Sequence, residues 1–169
     1  MGQKQREEQK CYIAAESQED AGVAFLNESP MQLSYQLQGE NYAIPVYTPK
    51  DAYFNLNGEG NGLILDHKLQ LNASEWLPTD SSLVPLGESE PVAGTPMDFV
   101  NAKPIGQDIK ADFEPLKIGK GYDHCWVIDG AEPGQLQECA ELYAPESGRV
   151  VTMFTTQPGV QVYTGNWLS

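Results

Sequence analysis

The chain is short of the residues that most often announce a function. Its three cysteines, Cys11, Cys125 and Cys139, are odd in number and widely spaced, with no CxxC pair. That excludes a zinc ribbon or a thioredoxin motif and reads as reduced thiols in a reducing compartment. Histidine is scarcer still, with only His67 and His124, so a metal site would have to be built mostly from carboxylates and no metal is expected. Basic residues are few: 10 Lys and Arg against 24 Asp and Glu give a net charge of −14. Neither nucleic acid nor an anionic membrane is an expected partner, because a phosphate-binding face needs clustered cations. No apolar run approaches the ~20 residues that span a bilayer. The polar opening from Met1 to Arg6 lacks the apolar core of a secretory leader, and Arg6 stands where a myristoylation signal wants Ser or Thr. A cytoplasmic location is the expectation. In that setting the sequons at Asn27 and Asn72 read as chance matches. Gly58-Glu59-Gly60-Asn61-Gly62 has no Lys-Ser/Thr behind it, so it is not a phosphate loop, and there is no GxSxG nucleophile elbow.

What is present is punctuation and alternation. Sixteen glycines and twelve prolines are spread almost evenly, which leaves no room for long helices. Between them lie short runs with apolar residues at every second position. These are Val23 and Phe25; Leu33, Tyr35 and Leu37; Leu63, Leu65, His67, Leu69 and Leu71; Cys125 to Ile128; Val150 to Thr155; and Val160 to Thr164. The expected fold class is all-β, an antiparallel β-sandwich or barrel. Residues 1–20, charged and weakly patterned, read as a loose N-terminal segment, and 21–169 as one β-sandwich domain. The best helical window runs from Asp108 to Leu116, with Pro115 expected to end it.

Three segments are richer in rigid polar and aromatic residues than packing requires: Lys50 to Leu56, Gly119 to His124, and Thr155 to Trp167. Amides and carboxylates pair with vicinal hydroxyls, and an aromatic face covers the C–H side of a pyranose ring. Sugar binding is one reading of this mixture; the other is that these are turn residues capping strands.

From about Met31 to Trp167 the chain resembles the aldose 1-epimerase (galactose mutarotase) family. The resemblance rests on Tyr53-Phe54-Asn55-Leu56 followed by Leu65-Asp66-His67. It continues through the stretches from Leu77 to Glu88 and from Pro91 to Phe99, then Gly121-Tyr122-Asp123-His124 and Ser147-Gly148-Arg149-Val150. Thr155 to Asn166 completes it, in the family's order. The resemblance implies a galactose mutarotase-like super-sandwich core, shortened at both ends, with a free hexose such as galactose or glucose in a broad cleft. It implies an isomerase that interconverts α and β anomers without any cofactor. A base takes the C1 hydroxyl proton, an acid protonates the ring oxygen, the ring opens, and it recloses on either face; a carboxylate and an imidazole suit these roles.

Carried over by residue, the resemblance makes Asp123 the sugar-binding aspartate and Gln161 a residue lining the sugar site. It sets His124 beside them as a third candidate contact, or else an orienting or core histidine. His67 reads as structural, since it falls in step with inward apolar residues. The family's catalytic histidine corresponds to Asp51, a poor proton donor unless burial raises its pKa. The family's glutamate base lies beyond the Tyr-Thr-Gly-Asn motif, past Ser169. The expectation is therefore an aldose 1-epimerase family protein, active if its cleft is complete. The alternative is a non-catalytic carbohydrate-binding module or inactive fragment. A second chain supplying the missing strands is a further expectation.

Overall fold

A computed structural model describes residues 52–167 and, for backbone only, the earlier strands β1 (Val23–Leu26), β2 (Met31–Leu37) and β3 (Glu40–Val46). Residues 1–20, Cys11 and Asp51 lie outside the described residues. The remaining strands are β4 (Ala52–Phe54), β5 (Lys68–Leu71), β6 (Glu75–Leu77), β7 (Glu90–Pro91), β8 (Lys103–Pro104), β9 (Asp123–Val127), β10 (Gln137–Tyr143), β11 (Val150–Thr155) and β12 (Gly159–Tyr163). They form two 6-stranded sheets, in the orders β4-β1-β12-β9-β6-β7 and β3-β2-β11-β10-β5-β8, with every pairing antiparallel. The all-β sandwich class follows the alternation read in the sequence.

The alternation works because successive side chains of a strand point to opposite faces. In β11, Val151, Met153 and Thr155 go inward while Val150, Thr152 and Phe154 stay half-buried. In β12, Val160 and Val162 go inward; in β9, His124 and Trp126 do. Trp126, Val160 and Val162 of one sheet and Val151, Met153, Leu69, Leu71, Ala140 and Leu142 of the other belong to one apolar core. Each aliphatic side chain so buried contributes roughly 1.5–3 kcal/mol relative to exposure. Two aromatic tips are satisfied at the edge of this core. The Trp126 indole N–H donates to the Met97 carbonyl at 2.9 Å, and the Tyr122 hydroxyl donates to the Pro96 carbonyl at 3.0 Å. Together they fasten the 92–99 loop to β9 and the residue before it.

Two local expectations are corrected, and one strand went unread. The strand expected from Leu63 begins only at Lys68. Residues 64–67 form a turn closed by the His67 N–H on the Ile64 carbonyl at 3.0 Å, so Ile64 is buried and Leu63 is exposed. The helix expected from Asp108 to Leu116 is instead α1 (Glu114–Gly119). Pro115 lies in its first turn and starts it, because a proline there gives up an N–H that has no intrahelical acceptor. Strand β10 had no clear signal in the sequence. A bulge between Glu138 and Ala140 puts Cys139 and Ala140 inside consecutively and breaks the two-residue period.

Candidate functional site

Consecutive residues of β9 and β12 divide between the core and an open face. On the open face two register rows cross the sheet. One sets Tyr163 opposite Asp123 and the next sets Gln161 opposite Cys125 and Cys125 opposite Leu77, while Tyr53 and Tyr163 pair through their backbones with the same residue of β1. Asp123, Cys125, Gln161, Tyr163 and Tyr53 are all half-buried.

Asp123 and Gln161 are diagonal neighbours of the two rows. The Gln161 Nε2 donates to Asp123 Oδ1 at 2.9 Å. This orients the amide so that its carbonyl and the second carboxylate oxygen remain as acceptors. Burial pushes the Asp123 carboxyl above the usual carboxylate range, and the Gln161 hydrogen bond pulls partly the other way. Tyr163, opposite Asp123, packs edge-on against Tyr53 with ring centroids 6.1 Å apart. The Cys125 thiol, directly across from Gln161, is pushed up by burial. At the end of the ladder the Lys120 ammonium lies 3.9 Å from the centre of the exposed Trp167 indole, and the Trp167 backbone N–H donates to the Tyr163 hydroxyl at 2.9 Å. A carboxylate and an amide beside two tyrosine rings can accept and donate to neighbouring hydroxyls while covering an apolar ring face.

His124 is not brought to that face. Its ring is wholly buried on the other side of β9, edge-on to Trp76 and Trp126. Of the three residues expected around a sugar, the structure sets Asp123 and Gln161 together and puts His124 behind them. The Asp123 backbone N–H donates to His124 Nδ1 at 3.0 Å. That bond leaves the ring proton on Nε2, which faces the side of the Pro115 carbonyl but has no hydrogen bond among the described residues. Desolvation pushes the His124 pKa down to about 4. His67 is equally buried and likewise pushed to about 4 by desolvation. Its Nε2 accepts the Leu56 N–H at 2.9 Å.

Two motifs far apart in sequence converge on the same backbone. The Leu56 carbonyl accepts from Ser147 Oγ at 2.8 Å and from Arg149 Nη1 at 2.7 Å. Ser147-Gly148-Arg149 and His67 thus fix the segment that follows Tyr53. Cys125 and Tyr163 were not singled out from the sequence as individual site residues. The signal for both was available, since each stands two residues beyond a site residue in a strand and must share its face. Among the described residues no group of three or more His, Cys, Asp or Glu could hold a metal ion, and no helix is long and apolar enough to cross a membrane.

Comparison with known proteins shows what the chain is similar to. The sequence profile of the family described as aldose 1-epimerase matches residues 2–169. The chain is 36% identical over 143 residues to human galactose mutarotase, covering 85% of this chain and 40% of that protein. It is 36% identical over 124 residues to the aldose 1-epimerase of Escherichia coli (strain K12), covering 73% of this chain and 35% of that one. A solved aldose epimerase homologue from C. elegans shares the fold with a TM-score of 0.56 at 24% identity, covering 69% of this chain and 33% of the other. The chain therefore spans about 40% of the length of curated relatives.

Proposed function

Because the chain belongs to the aldose 1-epimerase family, we propose that it carries the hexose-gripping part of an anomer-interconverting site and acts on free aldoses such as galactose or glucose. The observation that supports this best is the Asp123–Gln161 pair, hydrogen-bonded at 2.9 Å on the open face of β9 and β12 beside the edge-packed tyrosines.

In this reading the Asp123 carboxylate and the Gln161 amide hold ring hydroxyls, and the Tyr53 and Tyr163 rings border the C–H side of the sugar. In the reaction a base removes the C1 hydroxyl proton while an acid delivers a proton to the ring oxygen. The C1–O5 bond breaks and an open-chain aldehyde forms. Rotation about C1–C2 and reversal of both proton transfers regenerate either anomer with no net consumption of protons or electrons. By family resemblance Asp51 stands in the acid's position, and the reading needs a carboxylate near Asp123 able to act as the base. Fixed groups on a sheet favour such chemistry because the holding residues lose little freedom when the sugar arrives.

Two measurements test the reading. Polarimetry of freshly dissolved α-galactose is expected to show mutarotation faster than buffer, and a rate equal to buffer overturns activity in this chain. Titration with galactose is expected to give millimolar-range binding that Asp123→Ala abolishes. Equal responses from wild type and variant overturn the sugar site.

A further inference from the structure

The open face explains how Asp123 meets a ligand but not what holds Asp123 still. Its fixation comes from behind. The peptide before it is gripped through Tyr122 by a closed circuit of hydrogen bonds. The Tyr122 N–H donates to Thr164 Oγ1 at 3.1 Å, Thr164 Oγ1 donates to Asn166 Oδ1 at 2.6 Å, and Asn166 Nδ2 returns to the Tyr122 carbonyl at 2.8 Å. The Thr164 backbone N–H joins the same carbonyl at 3.0 Å. Thr164 and Asn166 are buried, so these bonds do not compete with bulk water. Gly121 leaves the room for them: a Cβ there would overlap Asn166 Oδ1 and lie 2.8 Å from Thr164 Oγ1. The next amide, that of Asp123 itself, is held by His124 Nδ1 at 3.0 Å. The ring that accepts it is itself immobilised between Trp76 and Trp126, at centroid distances of 5.5 and 6.4 Å.

We infer that His124, with the Thr164–Asn166 circuit, is the positioning device for the ligand-binding carboxylate of Asp123, acting from the core side of β9 without touching the ligand. The inference rests on the reading of Asp123 as a sugar ligand and extends it to residues behind the sheet. The carboxylate is joined to this backbone by one methylene, so a small rotation of the Asp123 peptide moves Oδ1 away from Gln161. A site of this kind loses function at displacements near 1 Å. A neutral ring suits the task, because only an unprotonated Nδ1 can accept the amide hydrogen.

The test pairs a variant that removes the acceptor with one that restores it. His124→Leu keeps an apolar filling of the core but leaves the Asp123 N–H unpaired. His124→Asn places a carbonyl oxygen near the former Nδ1. D-galactose affinity is measured by NMR titration, and hydrogen exchange is followed at the Asp123 amide. His124→Leu is expected to weaken galactose binding by about tenfold, the equivalent of one lost hydrogen bond, and to speed exchange at Asp123. His124→Asn is expected to recover most of both. Thr164→Val and Thr164→Ser repeat the comparison from the other end of the circuit, and serve if the leucine variant does not fold. Wild-type affinity in folded His124→Leu, or an asparagine variant no better than the leucine one, overturns the inference. If wild type shows no response to galactose, the sugar reading falls, and the exchange pattern at Asp123 alone decides the positioning role.

Discussion

The two faces of the β9–β12 ladder are built from alternate residues of the same two strands, yet they differ in character. Inward stand His124, Trp126, Val160 and Val162, all fully buried or nearly so. Outward stand Asp123, Cys125, Gln161 and Tyr163, all half-buried and mostly polar. The inward set is fixed by packing and by indole and imidazole hydrogen bonds, and the outward set keeps acceptors uncommitted. The contrast teaches that packing and the proposed ligand chemistry are segregated by strand parity here, one residue apart in sequence. The link between them is the backbone, which His124 grips from one side and Asp123 uses from the other.

The sharpest way to break the contrast is Trp126→Ala. It removes the largest inward side chain and its bond to the Met97 carbonyl, and is expected to cost about 3–5 kcal/mol in urea unfolding. Acid should act next. His67 and His124 are neutral when folded, with pKa values near 4 against 6.5 as the ordinary value. Between those pH values the unfolded chain binds more protons, so stability present above pH 6.5 is lost as pH falls toward 4. The loss approaches roughly 3 kcal/mol for each ring at the bottom of that window. Asp123 runs the other way. Its raised carboxyl pKa makes the folded state bind more protons just above the ordinary value of 3.8, so its own contribution improves as pH falls through that window and is lost as pH rises. Chemical denaturation at a series of pH values, with His124→Leu and Asp123→Asn alongside, separates the two signs. Gly121→Ala is expected to cost about 2 kcal/mol, since φ there is +148° and the added methyl invades the Thr164–Asn166 circuit. Smallest in stability is Asp123→Asn, expected within about 0.5 kcal/mol of wild type by the same assay. It should nonetheless abolish the galactose response. A large stability loss from that change would dissolve the segregation of the two faces.

Much of the sandwich could be read from alternation alone, because β11 and β12 keep a clean two-residue period from end to end. The misreadings have local causes. Pro115 is a helix breaker in general but a helix starter within a first turn, and only the neighbouring chain path decides which. Leu63 keeps the apolar period yet is turned outward by the bend that buries Ile64. The bulged β10 shows no period to read. For the site, composition suggested a polar-aromatic surface, and family resemblance picked out Asp123 and Gln161. Neither could show that residues 38 apart in sequence become hydrogen-bonded diagonal neighbours, since that depends on the β9–β12 register. His124 is the instructive case. Its adjacency to Asp123 suggested a shared role at the sugar, whereas strand geometry obliges adjacent residues to face opposite ways.

The stacked Lys120–Trp167 pair has a practical corollary. Trp76 and Trp126 are shut away at 2% and 0% exposure, while Trp167 is 53% exposed. Aqueous quenchers such as acrylamide should therefore dim one emitter out of three, and that emitter is tethered through its backbone to the Tyr163 hydroxyl. The protein comes with a native fluorophore at the rim of the proposed sugar-binding face, where a change in its emission would report occupancy without any label.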